Sequence, residues 1–96
     1  MPAYYFVDVL EITDEARIAK YREGVSAAVE KYGGRYLILG GKHEVVEGNW
    51  RPTFPVMIEF PTMEQAKRWY ASPEYSPLLK LRLEGSRSNA VFIEGR

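Results

Sequence analysis

The sequence predicts one α+β domain in which a four-stranded antiparallel sheet carries its helices on a single face. Runs rich in aromatic and β-branched residues, which are typical of strands, recur along the chain. Between them lie stretches with apolar residues at three- and four-residue steps, which are typical of amphipathic helices. Because 96 residues can bury one hydrophobic core but not two, we expect a single domain over residues 1–96.

Composition excludes several classes of protein. Hydrophobic residues make up 46% and charged residues 27% of the chain, which is ordinary for a globular domain and excludes a disordered tract. Thirteen basic and thirteen acidic residues leave no net charge, so we expect no nucleic-acid partner. Cysteine is absent, which excludes disulfides and thiolate metal sites within this sequence. Asp8 interrupts the first apolar run, so we expect no signal peptide, no membrane partner and a cytoplasmic location.

The first strand and the first helix are the clearest elements. Residues 3–10 form a strand, since seven of the eight are apolar and several are aromatic or β-branched. Thr13 or Asp14 is suited to cap a helix over 14–32. Gly33 and Gly34 end that helix, because glycine adopts the left-handed conformation without a steric penalty. The buried stripe of the helix is predicted to contain Ile18, Tyr21, Val25, Ala28, Val29 and Tyr32.

The middle of the chain predicts two more strands and a connection. Residues 35–39 form the second strand, which Gly40-Gly41 breaks or bulges. Residues 43–47 alternate weakly and are predicted to continue as a short edge strand. A turn over 48–52 leads to the third strand, residues 54–60.

The last third predicts two helical segments and a closing strand. Thr62 caps the first segment, whose inner side contains Met63, Ala66, Trp69 and Tyr70. Ser72-Pro73-Glu74 interrupts it, and Pro73 is suited to the first turn of a short helix over 74–84. Residues 88–94 form the final strand.

The element order β-α-β-β-α-β is the ferredoxin-like plan. Its helices cover one sheet face, yet the first strand is apolar on both faces. A bare apolar face is rare on soluble monomers, so we predict a homodimer that packs sheet against sheet into an α/β barrel. The alternative is a monomer whose outer face is partly hydrated through tyrosine hydroxyls.

Six ordered blocks carry a resemblance to a known family. They are Met1-Pro-Ala-Tyr, Tyr32-Gly-Gly-Arg-Tyr-Leu, Gly40-Gly41, Val46-Glu-Gly-Asn-Trp-Arg-Pro, Ile58-Glu-Phe-Pro and Trp69-Tyr-Ala-Ser-Pro-Glu-Tyr. Together they resemble the bacterial family catalogued as domain of unknown function 1330, over nearly the whole chain. That family is similar to the dimeric α/β-barrel superfamily, which includes antibiotic-biosynthesis monooxygenases, muconolactone isomerases, haem-degrading enzymes and chlorite dismutase-like proteins.

The resemblance implies the fold, the homodimer and a small-molecule cleft between sheet and helices, but no particular reaction. Relatives that handle haem use a histidine as the iron ligand. The only histidine here, His43, lies beside Gly40-Gly41-Lys42 in a predicted loop or edge. We therefore expect no haem or other cofactor, and with a single histidine no metal.

Asp8 and Glu59 are the candidate catalytic residues, since each is a carboxylate within an apolar strand. The first and third strands are neighbours in the predicted sheet, so the two groups are expected near one another. Such a pair could serve as general base and acid, because close carboxylates share a proton. The alternative is structural: each carboxylate pairs with an arginine or lies in water. The available partners are Arg35, Arg51, Arg82 and Arg87.

The candidate ligand-binding residues are aromatic and basic. Trp50 lies in a predicted turn, where an aromatic ring could form a lid or a dimer contact. Arg51 or Arg82 could bind the carboxylate of a ligand through paired hydrogen bonds. Aromatic side chains near the predicted cleft would line an apolar pocket with polar tips, the alternative being ordinary core packing. These are Tyr36, Trp69 and Tyr70.

Two functions remain open at this stage. One is an enzyme that performs cofactor-free proton transfer or oxygenation on a small metabolite. The other is a non-catalytic, small-molecule-binding or stress-associated dimer. Both need the same cleft, so residue types alone do not separate them.

Overall fold

Four strands and three helices follow one another in the computed structural model, which describes all 96 residues. The order is β1 (Ala3–Ile12), α1 (Glu15–Lys31), β2 (Arg35–Leu39), β3 (Pro55–Phe60), α2 (Met63–Tyr70), α3 (Ser76–Gly85) and β4 (Ser86–Glu94). The predicted α+β class and element order are confirmed. No helix is both long enough and apolar enough to span a membrane.

The strands form one antiparallel sheet in the order β2-β3-β1-β4, with β1 paired on both sides. Tyr5 lies opposite Ile58 of β3 and Phe92 of β4, so these three side chains share a face. This inner face packs against the helices and forms the hydrophobic core. Tyr4, one residue earlier, points to the opposite, outer face.

Local signals in the sequence set the helix ends. Asp14 caps α1 by accepting a hydrogen bond from the Arg17 backbone N–H at 3.1 Å. Thr62 caps α2 in the same way through the Gln65 N–H at 3.0 Å. Gly33 follows α1 with φ of 80°, in the left-handed region that favours glycine.

The predicted edge strand over 43–47 is wrong, because residues 40–54 form an irregular connection that we call the β2–β3 loop. Gly40 turns the chain out of β2 with φ of 65°, while its N–H still donates to the Pro55 carbonyl at 2.7 Å. A Cβ at Gly40 would lie 2.2 Å from a ring carbon of Phe54, so only glycine fits there. The chain therefore leaves the sheet before a further strand can pair.

The last helix begins two residues later than expected, at Ser76, and its first-turn proline is Pro77 rather than Pro73. The reason is Ser72, whose hydroxyl accepts a hydrogen bond from the Tyr75 N–H at 3.0 Å. The same hydroxyl donates to the Trp69 carbonyl at 2.7 Å. These bonds hold the intervening residues in a turn and delay the helix.

Glu74 connects this turn to the end of α1 through hydrogen bonds. Its carboxylate accepts hydrogen bonds from the Lys31 ammonium and from the Tyr32 hydroxyl, the latter at 2.7 Å. These two donors stabilise the charged form and lower the pKa of Glu74 to about 2.

We expect Glu74→Gln to destabilise the protein at neutral pH but not in strong acid. Because folding lowers the pKa of Glu74 from 4.5 to about 2, its stabilising contribution is present above 4.5. That contribution is lost as the pH falls through this window. The melting temperatures of wild type and variant should therefore converge as the pH approaches 2. Glu23→Gln, at an exposed acid of α1, is the control. A difference in melting temperature between wild type and Glu74→Gln that does not change with pH would contradict the lowered pKa of Glu74.

Candidate functional site

A charged side chain lies buried between α3 and the sheet. Arg82 is 4% exposed. Its Nη1 donates to Ser88 Oγ at 2.7 Å and its Nη2 donates to Tyr5 Oη at 3.0 Å. Its Nε is buried with no acceptor, and no carboxylate forms an ion pair with it. Only neutral oxygens therefore face this guanidinium.

Three tyrosines complete what we call the arginine–tyrosine cluster, defined as Tyr5, Tyr21, Tyr75, Arg82 and Ser88. The Tyr21 and Tyr75 hydroxyls are 2.9 Å apart and hydrogen-bonded. Burial raises the pKa of both Tyr5 and Tyr21 above the usual tyrosine value. Both are therefore neutral at physiological pH and supply no counter-charge.

The charge of Arg82 nevertheless persists. Burial acts to lower the pKa of the guanidinium, but the surrounding oxygens of Tyr5 and Tyr75 favour the cation, and the pKa lies above its usual value. Arginine is in any case protonated at every pH a protein tolerates. The cluster therefore holds one positive charge.

Trp69 forms the aromatic side of this region. Its ring is fully buried, with ring centroids 4.1 Å from Tyr75 and 5.1 Å from Tyr5. Its Nε1 donor has no acceptor. The interior between the sheet and the helices thus contains two unpartnered donors, one on Arg82 and one on Trp69.

The structure brings together four of the predicted ligand-binding residues. Arg82, Trp69 and Tyr70 all lie close to Tyr5, and the Tyr70 ring is 5.8 Å from the Tyr5 ring. Tyr36 lies on the inner face opposite Ile58 and packs against the same core. Its burial raises the pKa of its hydroxyl to about 12.

Trp50 and Arg51 lie elsewhere, in the β2–β3 loop. The Trp50 ring is 62% exposed, and its centroid is 6.0 Å from that of Phe6 on the outer sheet face. Arg51 Nη1 donates to the carbonyls of Gly48 and Trp50 at 3.1 and 3.2 Å. The structure therefore separates these two residues from the other predicted ligand-binding residues by the thickness of the sheet.

The expected proximity of Asp8 and Glu59 is wrong. Asp8 lies opposite Pro55, whereas Glu59 lies opposite Tyr4, four positions away. At about 3.3 Å per residue the two carboxylates are roughly 13 Å apart along the strands and share no proton. Both belong to the outer face, away from the arginine–tyrosine cluster.

Each of these carboxylates has its own local partners. Glu59 Oε1 accepts a hydrogen bond from Arg35 Nε at 2.7 Å, as the structural alternative expected. Asp8 Oδ1 accepts from the backbone N–H groups of Thr53 and Phe54, both at 2.9 Å, while its Oδ2 is buried without a partner. Asp8 thus attaches the end of the β2–β3 loop to β1.

The middle of the outer sheet face is apolar, and much of it is uncovered in the single chain. Val91 and Ile93 of β4 are 49% and 47% exposed. They lie opposite Phe6 and Tyr4 of β1, so all four side chains share this face. The face is completed by Ile38 and Met57.

Two surface depressions lie apart from the cluster. One, of about 480 Å³, lies between α1 and α3 and is mostly polar, with Arg17 and Lys80 in its lining. The other, of about 310 Å³, is lined in part by Arg35 and Glu59. Neither of these two depressions is lined by Arg82.

His43 lies in the exposed β2–β3 loop. Its ring nitrogens are 3.2 Å from the Gly41 carbonyl oxygen and 2.8 Å from that of Pro52. The structure contains no group of three or more histidine or acidic side chains able to hold a metal ion. The histidine therefore joins parts of its own loop.

Tyr5 and Ser88 are functional candidates that the sequence analysis missed. Tyr5 belongs to a strand that the sequence predicts to be apolar on both faces, and Ser88 is the first residue of the predicted final strand. The one signal in the sequence that points to such partners is Arg82. It follows Tyr75 by seven residues and so faces the same side of the last helix. A charged residue on an apolar stripe indicates polar partners across the interface.

The sheet order and the single helical layer define a ferredoxin-like α+β domain. Residues 2–96 match the family model of the domain of unknown function DUF1330, and the chain belongs to that family. No curated protein matches it.

Solved structures share the fold at low identity. A protein of unknown function from Rhodopseudomonas palustris, RPA0582, is 15% identical with a TM-score of 0.76, covering 99% of this chain and 82% of that one. A dimeric ferredoxin-like protein of unknown function from Jannaschia sp. CCS1 is 11% identical with a TM-score of 0.72, covering 99% and 100%. SnoaB, a cofactor-independent oxygenase from Streptomyces nogalater, is 14% identical with a TM-score of 0.65, covering 99% and 93%.

We expect Asp8→Ala to destabilise the protein by about 2 kcal/mol, because two hydrogen bonds to a charged acceptor are lost. Asp8→Asn keeps an oxygen acceptor at the same place and should lower the free energy of unfolding by less than Asp8→Ala does. Urea unfolding of the two variants measures the difference. An alanine variant as stable as wild type would show that the loop does not depend on Asp8.

Arg82→Met should be at least as stable as wild type. Replacing a buried ion pair with apolar side chains of similar volume is often neutral or stabilising by about 1–4 kcal/mol. The same outcome is expected here because the partners of Arg82, Tyr5 and Ser88, are uncharged hydroxyls. Arg82→Lys, which keeps a charge that is more strongly hydrated, should be less stable than Arg82→Met. Chemical unfolding tests both variants, and a loss of about 3 kcal/mol in Arg82→Met would indicate a structural arginine instead.

Proposed function

We propose that this protein is a homodimer in which each protomer holds a small organic molecule between its sheet and its helices. The observation that supports this is the pair of unpartnered buried donors, Arg82 Nε and Trp69 Nε1. A buried donor without an acceptor costs about 1–3 kcal/mol, and native interiors contain few of them. A bound molecule that supplies acceptors would remove this cost.

The second copy is proposed to cover the outer sheet face. Exposed Val91 and Ile93, with Phe6 and Met57 beside them, form an apolar surface of the kind that soluble monomers rarely leave open. Trp50 extends this surface onto the β2–β3 loop. The related structures from Jannaschia and from Bacteroides fragilis are described as dimeric, which supports the proposal.

As an enzyme, the protein would perform cofactor-free proton transfer or oxygenation of a small cytoplasmic metabolite. A cofactor-independent oxygenase and a putative antibiotic biosynthesis monooxygenase from Nitrosomonas europaea share its fold. We assign the reacting end of the molecule to Arg82 and Tyr5. Asp8 and Glu59, our first candidates for the base, are engaged on the other face of the sheet.

Binding without catalysis is the second candidate function. The tyrosines of the cluster support it, because the Tyr5 and Tyr21 hydroxyls stay protonated at neutral pH and neither is a general base there. A general base should instead titrate near the working pH. A binding protein needs no such group.

Native mass spectrometry of the purified protein tests both parts of the proposal. We expect a species of twice the 11.0 kDa chain mass, with an additional small mass when a molecule is carried. Arg82→Met should lose that additional mass but keep the dimer. A single-chain species alone would contradict the homodimer.

We expect Ile93→Glu to convert the dimer to a monomer, since a charge would be buried within the apolar part of the outer face. Light scattering after size-exclusion chromatography measures the mass. Leu83→Glu is the matched control, because Leu83 is exposed on α3 and belongs to the opposite layer. Loss of the dimer in both variants, or in neither, would mean that the interface lies elsewhere.

A further inference from the structure

We infer that the molecule held by the arginine–tyrosine cluster is a small organic anion, whose carboxylate or equivalent charged oxygens meet Arg82. This inference rests on the proposed function, since it names the class of molecule that the same site takes. It depends on three features of the cluster: its uncompensated charge, its excess of donors and its aromatic surroundings.

No acid of the chain offsets the charge of Arg82. The acids on neighbouring elements are engaged at the surface, where Glu84 of α3 pairs with Arg17 and Glu11 of β1 pairs with Arg87. The titratable groups that face Arg82 are tyrosines, and burial keeps Tyr5 and Tyr21 protonated. An arriving anion would therefore meet a desolvated cation with no competing carboxylate.

Donors exceed acceptors throughout the cluster. A guanidinium has five N–H donors, and Arg82 uses its two terminal nitrogens on Ser88 and Tyr5 while its Nε has no acceptor. Tyr5 Oη accepts a hydrogen bond from Arg82 and lies within hydrogen-bonding reach of the Tyr75 hydroxyl. Indole nitrogen is a donor only, and that of Trp69 is unpartnered. A ligand rich in acceptor oxygens, such as a carboxylate, matches this arrangement.

Aromatic rings surround the charged group and suit an organic rather than an inorganic anion. The Tyr5 ring contacts Trp69, Tyr70 and Phe92 at centroid distances of 5.1, 5.8 and 5.5 Å. Aromatic surfaces of this kind favour a flat apolar ligand with a few polar groups that fix its orientation. Tyr21 and Ser88 are the partly exposed members of the cluster, so entry is assigned to their side.

The test compares benzoate with benzamide, its neutral relative of nearly the same shape, by isothermal titration of the intact protein. We expect benzoate to bind wild type at least about tenfold more tightly than benzamide, as one charge-assisted hydrogen bond would give. Arg82→Met should lose this preference, and Arg82→Lys should keep part of it. Arg22→Gln, at an exposed arginine of α1, should bind like wild type.

Sodium sulfate at matched ionic strength separates organic from inorganic anions. Binding of sulfate that depends on Arg82 and equals that of benzoate would overturn the assignment to an organic anion. Equal binding of benzoate and benzamide, unchanged in Arg82→Met, would overturn the inference but leave the small-molecule proposal standing. Failure of both probes, with no molecule carried in the native mass spectrum, would overturn both. A thermal melt of each variant confirms that it is folded.

Discussion

The alternation of side chains along β1 is the constraint on which the rest of the structure depends. Because β1 pairs with both β3 and β4, it has no free edge, and its two faces have different surroundings. Tyr5 points to the helices and meets Arg82, whereas Phe6 points to the uncovered face and meets Trp50. A shift of one residue in register would exchange these two sets of side chains. One strand therefore separates a polar cluster inside the protomer from an apolar surface outside it.

Arg82 shows how the interior departs from simple hydrophobic packing. Most buried charges in proteins are paired, because desolvating an ion costs several kcal/mol. Here the guanidinium is surrounded by the hydroxyl oxygens of Tyr5, Tyr75 and Ser88, and Glu84, an acid of the same helix, pairs with a surface arginine. Trp69 adds a second unpartnered donor within the same layer. Buried donors without acceptors are few in native interiors, so these two mark the layer between sheet and helices as the candidate site.

The candidate site was predictable only in part. Periodicity predicts Trp69 and Tyr70 on the inner side of their helix, and the structure brings both of them, together with Arg82, close to Tyr5. The expected proximity of the two carboxylates was wrong because residue type and strand membership do not fix the register of a strand pair. Asp8 and Glu59 lie on the same sheet face but four positions apart along the strands. Asp8 instead accepts hydrogen bonds from a loop forty-five residues later in the chain, a contact that no local pattern indicates.

The main helices and strands, their order and the apolar character of β1 were predictable from the sequence alone. These follow from short-range physics: the Asp14 and Thr62 caps, the left-handed Gly33 and the spacing of apolar residues act within a few positions of one another. Only the tertiary structure decided which polar groups meet. The bond between Arg82 and Tyr5 joins residues seventy-seven positions apart. It exists because β1, α3 and β4 converge on one side of the sheet, and that convergence depends on the packing of the whole domain.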